Sequence, residues 1–303
     1  MRLVITGGTG FVGRAAVAEA LRVGAEVVLL TRDSAASAPP GVEILGLGHA
    51  RWTEEALSSA LRRIRPEAIL HLAGGPGQEP LEGLYEANVF LGSRLLDAAR
   101  EIVPDARVVV VGSAAEYGPP LGADGRSRED DPARPITAYG IAKLAQTLHA
   151  LVAARAGQSV VAARLFNPVG PGMPRSLAFA DFAAQIAGGG GHLVTGDIDT
   201  ERDFIPVAEA ARILLDLAVS DGAVGRIINV CSGRAQPVRW GVEHMLARSR
   251  RNIELVVRGG HPAGVRTIFG DTAGLRALGI APGSSDIGPA LDGLLHVDGA
   301  RLA

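Results

Sequence analysis

Tyr139 and Lys143 carry the most specific chemistry this sequence offers, and they stand four residues apart. On a helix that spacing is about one turn, so a phenol and an ammonium share a face. A phenol with a pKa of about 10 is a poor acid or base at neutral pH. A cation beside it stabilises the phenolate and brings proton transfer into range. Composition sharpens the point. The chain has 30 Lys and Arg residues, and Lys143 is its one lysine; the others are arginine. A coding bias that writes arginine wherever charge suffices, yet keeps one lysine, points to a task for a compact ammonium that a planar guanidinium cannot do. Ser113 follows the strand-like run RVVVV at 107–111. It therefore falls at a strand's C-terminal edge, where it can hydrogen-bond a carbonyl or hydroxyl.

A second constellation sits at the N-terminus. The segment TGGTGFVG at 6–13 places Gly7, Gly10 and Gly13, with Phe11 and Val12, between an apolar run at 2–6 and helical spacing at 11–23. Such glycines permit a tight turn, close approach of a pyrophosphate and close packing of helix on strand, while the helix N-terminus supplies free N–H groups. A glycine triplet alone is a weak signal; opening a strand–turn–helix unit it reads as a dinucleotide cradle. The next strand-like run, EVVLLT at 26–31, ends without an acidic residue to bind a ribose 2′-hydroxyl. Arg32 follows and can accept a 2′-phosphate, although Asp33 adjoins it. NADP(H) is the favoured cofactor, with NAD(H) as the alternative.

These groups need a scaffold. Strand-like runs recur at 2–6, 26–31, 42–45, 68–72, 107–111 and 159–164, with helical segments at 11–23, 52–64, 81–101 and 139–156. Continuous β-branched runs indicate strands buried on both faces, and their alternation with helices indicates an α/β, Rossmann-type doubly wound parallel sheet. After Phe166 the pattern changes. A turn-rich loop is expected at 167–174, a helix at 177–186, a flexible glycine run at 188–191, one more sheet strand at 226–230 and a helix at 240–248; the last sixty or so residues are poorly patterned. The expected division is a dinucleotide-binding domain of 1–165 plus about 203–232, and a smaller α/β substrate domain of 166–202 and 233–303.

Composition narrows the function classes. With 303 residues, 47% of them hydrophobic, the chain can bury a large core, and its net charge of −2 argues against a nucleic-acid partner. No apolar run is long enough to cross a bilayer. The first residues run straight into a strand, so no signal peptide is expected. Cys231, the one cysteine, precludes an internal disulfide and fits a reducing cytoplasm. No metal site is expected.

With these residues in hand, the chain resembles the extended short-chain dehydrogenase/reductase family, in its NAD-dependent epimerase/dehydratase group. The resemblance rests on TGGTGFVG at 6–13, HLAG at 71–74, Asn88 in a helix, GSAAEYG at 112–118, YGIAK at 139–143, RLFNPVGPG at 164–172 and RDFIPV at 202–207. It implies a Rossmann domain, a smaller nucleotide-sugar domain and a Ser113–Tyr139–Lys143 site. It adds Leu72, Ala73, Gly74, Asn88 and Phe166 to the cofactor contacts, and Ala114, Asn167, Arg202 and Arg266 to the substrate contacts. It also implies a homodimer through a four-helix bundle, two helices from each subunit, around 84–100 and 140–155.

The segments at 167–187, 196–204 and 225–233 look most like the GDP-4-keto-6-deoxymannose reductase-like nucleotide-sugar 4-ketoreductases. In the dehydratases of this group an acidic residue lies two before the tyrosine of the GSAAEYG segment, often beside another acid. Ala114 and Ala115 stand there, and alanine cannot expel a hydroxyl as water. Glu116 reads either as a second-site acid or as a surface carboxylate. His49 stands where the family has an acidic adenine contact, Pro206 replaces a polar residue, and 234–270 matches weakly.

The resemblance therefore implies reduction of a GDP- or TDP/UDP-linked 4-keto-6-deoxy sugar. Tyr139 is the acid, Ser113 the carbonyl's hydrogen-bond donor, and Lys143 the ribose and pKa partner. An epimerase using the same three groups with retained NAD is the alternative; a non-catalytic dinucleotide-binding protein is a third reading.

Overall fold

Leu3, Ile5, Val27 and Leu29 pack on one face of a central sheet, while Val4, Val28 and Leu30 pack on the other. That alternation in unbroken apolar strands is what a sheet covered by helices on both faces requires. The computed structural model describes residues 1–48, 52–75, 79–259 and 266–296. His49 lies outside them.

In chain order, β1 (Arg2–Thr6) leads through a glycine turn to α1 (Phe11–Arg22), then β2 (Glu26–Thr31), β3 (Val42–Gly46), α2 (Glu54–Ile64) and β4 (Ala68–His71). Next come α3 (Leu81–Tyr85), a π-helical turn at Glu86–Phe90, α4 (Leu91–Ile102) and β5 (Arg107–Ser113). A short β6 (Arg126–Ser127) precedes α5 (Ala138–Arg155) and β7 (Val160–Leu165). The remainder comprises β8 (Asn167–Val169), α6 (Ala178–Gly188), β9 (His192–Thr195), β10 (Glu201–Pro206), α7 (Val207–Val219) and β11 (Ile227–Val230). It continues with β12 (Ala235–Pro237), α8 (Val238–Ser249), β13 (Glu254–Val257), β14 (Thr267–Gly270), α9 (Ala273–Ala277) and α10 (Gly288–Leu295).

Seven strands form one parallel sheet in the order β11-β7-β5-β4-β1-β2-β3. Helices α1 and α7 cover one face, and α2, α4 and α5 the other. This is the doubly wound Rossmann-type arrangement. From β1 the chain winds outward to β2 and β3, and from β4 it winds the other way, so a crevice opens between the C-terminal ends of β1 and β4. Among the described residues, no helix is long and apolar enough to cross a membrane.

Beyond this sheet, β12-β10-β14-β6 form a second one, with β8 paired to β10, and β9 pairs with β13. A separate core of Val169, Phe179, Phe182, Ile186, Leu193, Phe204, Met245 and Leu291 lies among α6, α8 and α10.

The differences from the sequence expectations are local. The strand expected at 68–72 ends at His71, while the one expected at 107–111 continues to Ser113, which is thus its last residue. The turn-rich loop at 167–174 begins with β8, because Asn167–Val169 pairs with Phe204–Pro206. The poorly patterned C-terminal region holds β13, β14, α9 and α10. These elements are four to eight residues long, too short to show a period.

Candidate active site

The glycine turn is shaped by contacts that leave no room for a side chain. A Cβ on Gly13 would collide with the Gly7 carbonyl oxygen, and one on Gly7 would lie 2.6 Å from the Ala73 nitrogen. Gly10 differs: apart from the Gly7 oxygen at 3.2 Å, no other contact within 4 Å of its Cβ position is made among the described residues. Its open side is the approach a phosphate needs. Neither a side-chain cap nor a first-turn acidic residue occurs at the N-terminus of α1, so its free N–H groups and positive dipole end face an anion without competition. Phe11 and Val12 in that turn are half-buried. Arg14 donates to the Thr9 carbonyl at 2.6 Å and to the Gly172 carbonyl at 3.1 Å, tying the cradle to the loop after β8.

Across the crevice, the segment after β4 is fixed through Thr6. Leu72 N–H donates to the Thr6 carbonyl, and Ala73 N–H to the Thr6 hydroxyl at 3.2 Å. That hydroxyl is 2.8 Å from Nδ1 of His71, which is fully buried. Burial, and then the Lys143 ammonium, lowers the His71 pKa to about 3, so this histidine is neutral. Gly74 is exposed. Over it lie the Asn88 amide oxygen and the Lys143 ammonium, 2.6 and 3.4 Å from where a Gly74 Cβ would sit. Asn88 is fully buried in the π-helical turn, its nitrogen donating to the Leu84 carbonyl at 2.9 Å. Its oxygen has no partner among the described residues. A buried acceptor left open beside the cradle fits a bound ligand's hydroxyl. Arg32 and Asp33 are exposed beyond β2, and Asp33 is engaged as an acceptor from Ala35 N–H at 2.8 Å.

Proton transfer is built on α5. The Thr137 hydroxyl caps this helix by accepting from Gly140 N–H at 3.0 Å, which puts Tyr139 in the first turn. Gly140 lets the helix approach the turn after β5, since a Cβ there would sit 2.5 Å from the Ala115 carbonyl oxygen. Burial pushes the Tyr139 pKa up, opposite to the lowering expected from Lys143, and Ser113 at the end of β5 pulls it down in part. Lys143 lies one turn further along, only 6% exposed, donating to the Val111 carbonyl at 2.8 Å and to the Gln146 amide oxygen at 2.9 Å. Burial lowers its pKa to about 8, with Glu116 opposing the fall, so at neutral pH it remains a cation. The structure thus gathers Ser113, Tyr139 and Lys143 at the C-terminal edge of the sheet.

Other expected residues take different positions. Glu116 is neither a surface carboxylate nor open to a second site: it is fully buried, 2.8 Å from the Arg164 guanidinium. Ala114 packs beside Tyr117, Phe166 and Cys231. The Phe166 side chain is buried in that same cluster, so only its main chain is available to a cofactor. Asn167 opens β8, and its amide nitrogen is committed to the Asp203 carbonyl at 2.8 Å. Arg202 is partly buried and donates to the main-chain carbonyl of Arg266 at 3.0 Å, which brings these two together; the Arg266 side chain is exposed. Asp203 beside it is architectural, its buried carboxylate accepting from Ser232, Gly233 and Gly270. Pro206 ends β10 and precedes α7, where its missing N–H costs no ladder bond.

Sequence reasoning missed Gln146, His71 and Arg164. Gln146 carried a signal, three residues past Lys143 on one helix face, and so did Arg164, a charge closing an apolar strand.

Known proteins resemble this chain closely. It is 34% identical over 255 residues to a dTDP-6-deoxy-L-talose 4-dehydrogenase (NAD(P)(+)) of Kitasatospora kifunensis, covering 82% of this chain and 79% of that one. It is 31% identical over 202 residues to a GDP-6-deoxy-D-mannose reductase of Pseudomonas aeruginosa, covering 63% and 66%. The solved structure of RMD from Pseudomonas aeruginosa complexed with NADPH superposes over 97% of each chain, at 28% identity and a TM-score of 0.80. Residues 3–231 match the NAD dependent epimerase/dehydratase family, to which this chain belongs.

Proposed function

We propose that this chain reduces a 4-keto-6-deoxy nucleotide sugar, with NADPH as the favoured reductant. The observation that carries the reading is the placing of Ser113 at the end of β5 and of Tyr139 and Lys143 one turn apart on α5, beside Ala114 and Ala115 where a dehydrating enzyme needs an acid. The two relatives support it. Their names describe oxidation or reduction of nucleotide-linked 6-deoxy sugars, and dehydrogenation at C4 is 4-keto reduction run backwards.

A dinucleotide whose phosphates rest on the cradle would supply the hydride for the carbonyl carbon. Ser113 donates a hydrogen bond to the carbonyl oxygen, and Tyr139 gives that oxygen its proton as the C=O π bond opens. The tyrosinate left behind takes a proton from water. Burial suits this direction, because a raised pKa keeps Tyr139 protonated at neutral pH. Lys143 and Asn88, both over Gly74, are assigned to the ribose side of the cofactor.

Arg202 and Arg266 are assigned to the diphosphate, whose oxygens suit a guanidinium fork, with Asn167 and Ala114 on the sugar side. In this division 1–165 and about 203–232 hold the dinucleotide, while 166–202 and 233–303 hold the nucleotide sugar. A homodimer through α4 and α5 is supported by exposed Phe90, Ile141, Leu148 and Val152, the last three at helical spacing along α5.

The test supplies 4-keto-6-deoxy sugars linked to GDP, TDP and UDP. Stoichiometric NADPH oxidation with one of them is expected. No oxidation with any, together with NAD that stays bound through purification, would mean the epimerase reading instead.

Arg32 gives a separate test of cofactor choice. Arg32→Ser is expected to weaken NADPH binding about tenfold, about 1.4 kcal/mol, by removing the cation facing the 2′-phosphate. NADH affinity should move far less. Fluorescence titration with both cofactors checks this, and an unchanged ratio of the two dissociation constants would remove Arg32 from the site.

A further inference from the structure

We propose that Glu116, held by Arg164, is a positioning residue for proton transfer: it braces the end of β5 beside α5 so that Ser113 faces Tyr139, with its carboxylate behind them. This rests on the reductase reading for its consequence in catalysis, but not for its geometry.

The clasp is visible atom by atom. Glu116 Oε1 accepts the main-chain N–H of Ser113 at 2.8 Å, closing a capping box at the end of β5. A Cβ on Gly112 would collide with that same oxygen and would lie 2.9 Å from the Thr147 hydroxyl, so the carboxylate and Thr147 both border Gly112. Thr147 is four residues beyond Lys143, on the face of α5 that also carries Tyr139. The carboxylate therefore touches the strand that presents the serine and faces the helix that presents the tyrosine and lysine.

Arg164 completes the device from β7. Its Nε lies 2.8 Å from Glu116 Oε2, and its guanidinium lies 4.3 Å above the Tyr117 ring. Tyr117 in turn donates to Asn229 of β11 at 2.6 Å. Both charged partners are at most 3% exposed. A buried ion pair is weak as a source of stability, since apolar replacements are often neutral or better. Arg164 Nη1 also has no partner among the described residues, so the pair is not optimised for satisfaction alone. Its place under the serine points to function.

The charge acts on the neighbours. The titratable and charged groups packed around this face are Lys143 on the same helix, His71 from β4, Tyr85 from α3, and Glu116, Tyr117 and Arg164. Burial is the largest influence on both groups, raising the Tyr139 pKa and lowering that of Lys143, and Glu116 pushes each upward beside it. A neutral residue there would let Tyr139 ionise at lower pH.

Glu116→Gln keeps the shape and one of the two acceptor oxygens but removes the charge. The chain has only three tyrosines, so tyrosinate absorbance of the protein alone, compared with a Tyr139→Phe reference, isolates the Tyr139 step. Its midpoint is expected to fall by about one pH unit in Glu116→Gln. In the reductase assay the alkaline limb of kcat should move the same way, and kcat should drop about tenfold with KM for NADPH little changed. Glu116→Gln/Arg164→Met, which leaves no unpaired buried charge, should show the same midpoint shift. An unchanged Tyr139 midpoint in whichever variant folds overturns the proposal. Failure of both to fold also overturns it, by making the pair purely structural. Inactivity toward every ketosugar would overturn the reductase reading and leave the titration result standing.

Discussion

Tyr139→Phe is expected to lower kcat for ketosugar reduction by about 10²- to 10⁴-fold, the range that a single general acid contributes. The substitution removes one oxygen from a ring packed against the cluster of Leu84, Val89 and Ala142. That packing is apolar, so the fold tolerates phenylalanine, and NADPH should still bind because the cradle lies on other elements. The sign of the pH dependence follows from direction. In reduction the protonated phenol is the acid, so wild-type kcat falls as pH rises through the Tyr139 pKa. Burial is the largest influence and pushes that pKa up, with Ser113 pulling it back in part. The phenylalanine variant should lose this alkaline limb and keep only a small rate from hydride transfer with water as the acid. Steady-state kinetics across pH, beside cofactor titration, decide it. Equal losses in kcat and in NADPH affinity would mean that Tyr139 holds the scaffold instead.

How far the sequence could be read depends on how local each cause is. The sheet was legible because EVVLLT and RVVVV are buried on both faces, and burial on both faces leaves an unbroken apolar run. The cradle and the Tyr139–Lys143 pair were legible because their geometry is fixed within one turn of chain. Glu116 was not. Read locally, an acid before Tyr117 and Gly118 looks like a solvated turn; what buries it is Arg164, 48 residues away on another strand. Phe166 likewise reads as a residue at the sheet edge facing a ligand, whereas its ring is drawn inward against Tyr117 by contacts that no spacing encodes. β8 escaped notice because three residues containing Pro168 become a strand only by pairing with β10. The Arg202–Arg266 contact needed the β10–β14 pairing, which joins residues more than sixty positions apart.

The sole lysine gives the second large effect. Lys143→Arg follows the drift of the whole composition, and if charge alone mattered it would be silent. It is expected instead to reduce kcat by at least about 10²-fold, since a small misplacement of a catalytic group has that effect. The physical reason is room. The ammonium is 6% exposed and fits between the Val111 carbonyl and the Gln146 amide oxygen. Close by, His71 Nε2 and Gln146 Nε2 crowd the Cα of Gly92, each 3.3 Å from where its Cβ would be. A guanidinium is wider and planar, and overfilling a packed site destabilises by about 1–3 kcal/mol. Arginine also cannot respond to burial by losing its proton, whereas burial has already brought Lys143 down to about 8. That value supplies a direct readout. Apart from the α-amino group, an amine-directed acylating reagent has one target in this chain. Its rate at Lys143, followed by peptide mapping, should rise through a pH of about 8 and be slowed by NADPH. A Lys143→Arg variant with wild-type kcat, or acylation indifferent to NADPH, would leave the lysine as an accident of composition rather than the partner of Tyr139.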